Sequence, residues 1–520
     1  MDLGDIVERS ARYWPERFAV IDSRRRTSYR DFDRRTNQLA NALLSLGLTS
    51  GDRVAIQAWN CCELVEAEVA LYKSALIKVP VNARLSTDET VHVLNDSTAR
   101  ALVVGADHAA ALLARRSECP QLRWLIVIAG GAALAGADHG YETLLAGAGV
   151  VRPAVRAADA DIAVLHYTSG SSGVLKAAMQ SFANRRALVT KTLLAPWRPA
   201  APGDVMAHVG PVTHASGMQL MPMLQCGATN LLLEKFDERL LLEAIERERV
   251  SRLFLVPTMV NRLVAYPELG RYDLSSLRLI VYGAAPMAPS LVRRAIEMFG
   301  PILAQGYGAG ETTSLVSVLN EQDHVDALAG NERRLSSCGR CYFDTEMRVV
   351  DDEGHDIVAG DIGEIIVKGP DVMLGYWNAP ELTAEAIVDG AYRTGDLATV
   401  DDEGYVYIVD RKKEMIISGG FNIYPTEIEQ HLYAHPAVFE GVAIGVPDDE
   451  WGEAVKLVVV RRPGAVVDDR ELLAWCASRL PGYKKPRSVD FIDELPKNAN
   501  GKVMRKSVRD SYWVGRERNV

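Results

Sequence analysis

Short apolar runs alternate with amphipathic helical segments along most of this chain, and no other feature narrows its architecture as much. Across residues 28–47, Phe32, Leu39, Leu43 and Leu46 recur at helical spacing, with Ser28 suited to cap the first turn and Gly47 to end the last. Residues 53–56 then read as a short buried strand. The same order returns at 101–104, 253–256 and 279–281, the last followed by a helix over 290–299. Strands separated by helices rejoin one sheet through crossovers, so the expected class is α/β with largely parallel sheets. The stretch 130–160, rich in Ala and Gly with weak periodicity, reads as a loop-rich connection inside the large domain. Beyond Tyr392 the texture changes: a turn over 401–404 precedes alternating apolar residues at 405–409, which predicts a hairpin. Charges cluster at 410–414, a polar segment suited to a hinge at Asp410. The predicted organisation is a large N-terminal domain of layered sheets and helices over 1–409 and a small α+β C-terminal domain over 410–520.

Composition sets the outer bounds. A chain of 520 residues, 48% hydrophobic, exceeds the size at which one core stops growing, so two or more domains are expected. With 68 acidic against 58 basic residues and a formal charge of -10, it has no basic field to hold nucleic acid or anionic lipid. An anionic ligand must therefore be held locally. The apolar run 124–137 is shorter than the roughly 20 residues a bilayer requires, so no stable membrane association is expected, and it reads as a buried strand entering a loop. The first residues lack the basic-then-apolar order of a secretory signal and the last match no lipidation pattern, which predicts a cytoplasmic location. Seven scattered cysteines do not form a disulfide framework and are expected to be reduced. Cys338 and Cys341 have the spacing of half a zinc site, but no second pair stands nearby to complete it.

The segment richest in chemistry runs from Tyr167 to Lys176, after an apolar strand at 162–165. Thr168, Ser169, Gly170, Ser171, Ser172 and Gly173 are small enough for the backbone to turn tightly with its amides toward a phosphate, and Lys176 adds one positive charge. The spacing is not that of the NTPase P-loop. Alone, such a turn is more often a flexible surface loop. It resembles, however, the phosphate loop of the adenylate-forming superfamily, which contains acyl-CoA synthetases, luciferases and peptide-synthetase adenylation domains. Further segments similar to that family's motifs follow in order: Gly283, Ala284, Ala285 and Pro286; Gln305, Gly306, Tyr307 and Gly308 through to Glu311; 392–396; Asp410 and Arg411; 418–425; and 496–502. The resemblance spans essentially the whole chain.

What it implies is an acid:CoA ligase that activates a carboxylic acid as its acyl-adenylate and passes the acyl group to coenzyme A, using ATP and Mg²⁺. Joining a carboxylate to the α-phosphate brings two anions together, and the family offsets that repulsion with a lysine on a mobile C-terminal lid, here Lys502. By the same resemblance Glu311 is the magnesium-binding acid. Asp396 accepts the ribose hydroxyls and Arg411 donates to the same sugar, while 283–286 and 305–308 wall the adenine. Ser418, Gly419 and Gly420 form the pantetheine path once the lid has rotated about Asp410. His214 sits where the family carries a residue between acyl pocket and thiol entry. Lys502, Glu311 and His214 are thus the expected catalytic residues.

Three positions depart from the family pattern. Leu175 stands in place of proline, Ala177 in place of glycine, and Gly310 in place of a threonine hydroxyl near the α-phosphate. A Cβ at Ala177 is expected to crowd the phosphates, and loss of a charge-assisted hydrogen bond at 310 would cost roughly 1.5–3 kcal/mol. One alternative is therefore an enzyme that performs only thioester formation on a ready-made acyl-adenylate, and another is a stand-alone adenylation enzyme that loads a carrier protein. Met218, Met221 and Met223 suggest an adaptable apolar acyl pocket, suited to a bulky aromatic, alicyclic or medium acyl acid. A homodimer is the expected assembly on the general prevalence of twofold oligomers.

Overall fold

The computed structural model describes residues 2–128, 135–169, 175–497 and 503–514. The first predicted helix forms as Tyr29–Ser45: Ser28 accepts from the amide of Asp31 at its start, and Gly47 adopts φ 84° beyond its end. The alternating segments build two sheets. In a nine-stranded one, the adjacent parallel strands Arg252–Leu255, Leu279–Gly283 and Leu303–Gly308 lie near one end. In an eight-stranded one, Ile162–Ser169 runs between Ile77–Pro80, parallel to it, and Leu175–Ser181, antiparallel to it. Helix Cys62–Ser74 is buried along its whole length, because residues of both sheets, such as Val20 and Val54, join it in one core.

The expectation of largely parallel pairing holds at the centres of these two sheets, while their edges pair antiparallel, as Leu303–Gly308 does with Leu315–Leu319. Glu346–Val350, Gly363–Lys368, Ala391–Val400 and Val406–Arg411 form a third, antiparallel sheet. Its last two strands are joined by the tight turn ending at Gly404, φ 82°, and a short turn permits only antiparallel return, whereas Gly363–Lys368 and Ala391–Val400 are joined by a longer connection that contains helix Pro380–Ala386. The C-terminal residues fold on their own sheet, led by the long hairpin of Val438–Asp448 and Gly452–Arg461, with helices Pro425–Tyr433 and Asp469–Ala477 packed in a separate core of Ile428, Leu432, Leu457 and Leu472. The small α+β unit read from the sequence is present.

The connection 130–160 is less irregular than its composition suggested. Helix Tyr141–Ala146 lies within it and buries Tyr141 and Leu145 against the main core. Six residues make too few turns to produce a legible period. All seven cysteines are free thiols. Cys338 is buried, and burial pushes its thiol up to about 12, which disfavours the thiolate a metal would need. No helix among the described residues is long and apolar enough to cross a membrane.

One buried ion pair ties helix Phe182–Leu194, which follows strand Leu175–Ser181, to the segment after strand Gly363–Lys368 of the third sheet. Lys191 and Asp371 meet at 2.5 Å, both side chains fully excluded from water, and Asp371 also accepts from Ser314. Lys191→Ala would leave Asp371 buried without its cation, and a loss of about 3–5 kcal/mol in denaturant titration is expected.

A second expectation concerns acid. His208 is wholly buried between Ser216 and Asn230, and burial pushes its pKa from 6.5 down to about 4. The unfolded chain therefore binds a proton that the native chain refuses in this interval. The full stability is present above about pH 6.5 and is lost progressively as pH falls toward about 4. The thermal midpoint should fall over that window, with a shallower slope in His208→Gln; an equal slope would exclude His208 as a contributor.

Candidate active site

Antiparallel register places Thr168 opposite Lys176, His166 opposite Ala178 and Val164 opposite Gln180. Because side chains alternate, His166, Thr168, Lys176 and Gln180 share one face, and Leu165, Tyr167 and Ala177 share the other, inside a core cluster. Tyr167 is held there by a 2.5 Å hydrogen bond to Asp96. Thr168 and Ser169 thus belong to the strand, which extends past the predicted end at 165. Gly170, Ser171, Ser172 and Gly173 lie outside the described residues.

Glu311 faces this hairpin. Its Oε1 accepts from the Tyr376 hydroxyl at 2.9 Å and from Thr168 at 3.4 Å, while among the described residues no donor reaches Oε2. Lys176 Nζ lies 3.9 Å from the centre of the Tyr376 ring. Burial lowers the Lys176 pKa, with Lys413 and Arg411 adding to the effect and Glu311 opposing it. Burial and the Glu311 charge raise that of Tyr376, which remains a donor. A nearly buried carboxylate with one open oxygen beside a cation and hydroxyls suits Mg²⁺, which prefers one or two carboxylates and completes its shell with phosphate oxygens. Tyr376 had no place in the sequence reading. The only signal was an aromatic pair, Tyr376 and Trp377, following Gly375 in a stretch of turn residues.

The ends of the strands Leu279–Gly283 and Leu303–Gly308 form a second wall. A Cβ at Gly283 would stand 2.3 Å from the Gly306 carbonyl oxygen, so the close approach requires glycine, and Ala284 turns away with φ 66°. Ala284 and Pro286 are exposed and Gln305 half-buried, its Oε1 accepting from Tyr282 at 3.3 Å. Tyr307 donates to Asp396 Oδ2 at 2.7 Å and Arg411 Nε to Oδ1 at 3.1 Å, so both oxygens of this buried acid are aimed by the protein and keep lone pairs for further donors. Asp396 pairs across the strands with Arg411.

His214 is half-buried on the loop preceding helix Leu220–Gln225, with Nδ1 3.0 Å from the Thr213 hydroxyl. Gly217 closes that loop, since a Cβ would meet the Val212 carbonyl. Burial pushes the His214 pKa down to about 4, helped by Lys78. The His214 ring packs edge-on against His166 at 5.3 Å between centroids. His166 went unnoticed in the sequence; the signal was one imidazole in an apolar strand, two residues before Thr168.

Several expectations are corrected. Ala177 does not crowd the phosphates: its Cβ lies in the core on the opposite face from Lys176, and its backbone is extended strand. Leu175 pairs with Ser169 and packs against the same core, so the loss of proline lengthens the hairpin rather than loosening it. Met221 and Met223 are buried within core clusters, leaving Met218 as the partly accessible one. Gly419 and Gly420, at φ 58° and 81°, make a two-residue hairpin turn between Ser418 and Phe421 that demands both glycines, and Trp451 covers the first. Their described hydrogen bonds do not reach the Glu311 group. Asp410, the expected hinge residue, is buried: its Oδ2 accepts from the Thr426 amide and hydroxyl, and Arg505 stands 3.4 Å from Oδ1. Burial raises its pKa against the pull of Arg505. Lys502 lies outside the described residues.

Residues 7–377 match the family described as AMP-binding enzyme, and residues 427–502 match the AMP-binding enzyme C-terminal domain. A feruloyl-CoA synthase of Amycolatopsis sp is 39% identical over 512 residues, covering 98% of this chain and 99% of its own. A fatty acid–acyl-carrier-protein ligase of Streptomyces coeruleorubidus is 32% identical, with 98% and 96% covered. The crystal structure of an anthranilate CoA ligase with anthranoyl-AMP superposes with TM-score 0.91 at 25% identity, covering 98% of this chain and 97% of that one.

Removing the hydroxyl in Tyr376→Phe takes one donor from Glu311. Calorimetric titration with ATP at varied Mg²⁺ should show an Mg²⁺ requirement raised about 10-fold, the usual effect of losing a group that orients a metal-binding carboxylate. Unchanged Mg²⁺ dependence would remove Glu311 from the metal site.

Proposed function

This chain belongs to the AMP-binding enzyme family, and from that premise we propose how its residues divide the work of an aromatic acid:CoA ligase. The enzyme is an AMP-forming acyl-CoA synthetase. A carboxylate oxygen attacks the α-phosphorus of ATP and pyrophosphate leaves; the CoA thiol then adds to the acyl carbon and AMP leaves. The observation that carries the division of roles is the grouping of Thr168, Lys176, Glu311 and Tyr376 beside the Asp396–Arg411 pair, which offers a phosphate end and a sugar end.

At the sugar end, Asp396, oriented by Tyr307 and Arg411, accepts the ribose hydroxyls, and adenine enters between 283–286 and 305–308. At the phosphate end, Lys176, Thr168 and the amides of the 170–174 turn hold the phosphates. Mg²⁺, when bound at Glu311, supplies positive charge against the phosphates. Lys502 brings a further cation to the place where acid and α-phosphate repel each other. The C-terminal domain, 410–520, turns about Asp410 against the N-terminal domain, 1–409, and then presents the Ser418, Gly419 and Gly420 hairpin to the pantetheine arm. His214 lines the passage between acyl pocket and thiol. The fit of Leu175 and Ala177 into the hairpin favours an enzyme that performs both half-reactions.

An aromatic acid is favoured by the partly accessible Met218 near His214 and by the names of the feruloyl and anthranilate relatives. CoA is the acceptor on this reading, and the carrier-protein relative supplies the competing one. A cytoplasmic homodimer completes the proposal.

Pyrophosphate exchange with a panel of aromatic and aliphatic acids tests the first step, and thiol consumption with free CoA against a phosphopantetheinylated carrier tests the second. Exchange is expected with an aromatic acid, and CoA is expected to outcompete the carrier. Lys502→Ala should lose exchange by about 100-fold with its thermal midpoint unchanged, yet still convert supplied acyl-AMP and CoA to thioester. An undiminished exchange rate would take Lys502 out of the reaction.

A further inference from the structure

Gly310 stands immediately before Glu311 and its φ is not in the left-handed region, so the backbone does not require glycine there. Space does. An ideal Cβ at 310 would lie 2.7 Å from His166 Cδ2, 2.8 Å from Thr168 Cγ2 and 3.3 Å from His166 Nε2. The imidazole occupies the room a side chain at 310 would fill. Gly310 is itself pinned, its carbonyl accepting from Gln180 Nε2 at 2.8 Å, so the backbone has little freedom to retreat.

His166 sits on the face of the hairpin that carries Thr168 and Lys176. Among the described residues no hydrogen bond engages either of its ring nitrogens, although the ring is largely enclosed. It rests edge-on against His214, and beneath the pair lies a buried network in which Glu68 meets Lys78 at 2.9 Å and Arg185 at 3.2 Å. Burial holds the His166 pKa well below its ordinary value, and His214, Arg185 and Lys78 push the same way. A neutral imidazole has one donor and one acceptor, and no described residue engages either.

We propose that His166 is a substrate-contacting residue of the adenylation step, donating a ring N–H to an α-phosphoryl oxygen of the nucleotide, and that Gly310 is glycine in order to admit it. The contact takes the place of the hydroxyl missing at 310. No proton is transferred: the donor stabilises charge on the phosphoryl oxygens while the carboxylate adds and pyrophosphate departs. The inference rests on the phosphate end assigned above to Thr168, Lys176 and Glu311.

Two readouts test it. In protein labelled with ¹⁵N-histidine, AMP at saturating concentration, with binding followed by calorimetry, should shift the ring-nitrogen resonances of His166, identified by their absence in His166→Val. Bound AMP that leaves them unmoved would overturn the contact without reference to any activity. In pyrophosphate exchange, His166→Val should fall about 100-fold. Gly310→Thr should fall at least as far, because the new side chain collides with the ring. The double variant H166V/G310T should regain about 10-fold over either single one, since the hydroxyl then has the vacated space. A double variant no better than the singles would overturn the pairing, and full exchange in His166→Val would overturn the role. A change only in which acid is accepted would assign His166 to the acyl group instead. Failure of the wild type to exchange with any acid, with AMP still shifting His166, would refute the adenylation reading and leave the contact standing.

Discussion

The antiparallel register between Ile162–Ser169 and Leu175–Ser181 is the constraint on which the site depends. With a period of two, that pairing decides which side chains face the proposed nucleotide site and which the core: His166, Thr168, Lys176 and Gln180 fall on one face, Leu165, Tyr167 and Ala177 on the other. A slip of one residue would exchange the two sets. Slippage is opposed from the apolar side, where Tyr167 is fixed to Asp96, and from the polar side, where Gln180 holds the Gly310 carbonyl. The chemistry of the polar face is thus stabilised largely by packing on the other.

Charge is arranged around this hairpin in two depths. Glu68, Lys78 and Arg185 lie buried, where an isolated ion would be very costly, and they persist because each has a partner and because Tyr72 donates to Glu68 at 2.9 Å. Lys176 and Glu311 each keep polar atoms that no described residue engages in a hydrogen bond. The inner network leaves an excess of positive groups beneath His166 and His214, which favours their uncharged forms and disposes the region to receive an anion.

The α/β class and the terminal α+β unit could be read in the sequence from periodicity and capping residues, while Glu311, Asp396, Arg411 and Lys176 were singled out by the resemblance of short motifs to a known family. What escaped depends on faces. Ala177 looked like an intrusion on the phosphates until the strand register placed its Cβ in the core. Met221 and Met223 looked like pocket residues because composition does not distinguish a cavity wall from a packed interior. Tyr376 and His166 reach Glu311 and Gly310 across sheets from distant parts of the chain, and only tertiary contact reveals them. Part of the antiparallel sheet beyond residue 340 was legible, since the turn at 401–404 and the alternation at 405–409 predicted the hairpin that Ala391–Val400 and Val406–Arg411 form, whereas the pairing of Glu346–Val350 with Gly363–Lys368 was not anticipated.

Asp410, the proposed pivot, belongs by its contacts to both units. Its side chain bonds to Thr426 and Arg505, both in the C-terminal unit, whereas its backbone pairs with Leu397 in the third sheet. A rotation of the lid, as proposed, can preserve the side-chain bonds and release the backbone pairing, so that Asp410 travels with the lid. Arg411 is the next residue, and its guanidinium holds Asp396. Turning about 410 therefore pulls on the Arg411–Asp396 pair, the same pair assigned to the ribose. On the proposed assignments, the Arg411–Asp396 ion pair links the ribose site to the angle of the C-terminal unit, and a nucleotide that shared Asp396 with Arg411 would weaken the contact that opposes the proposed rotation.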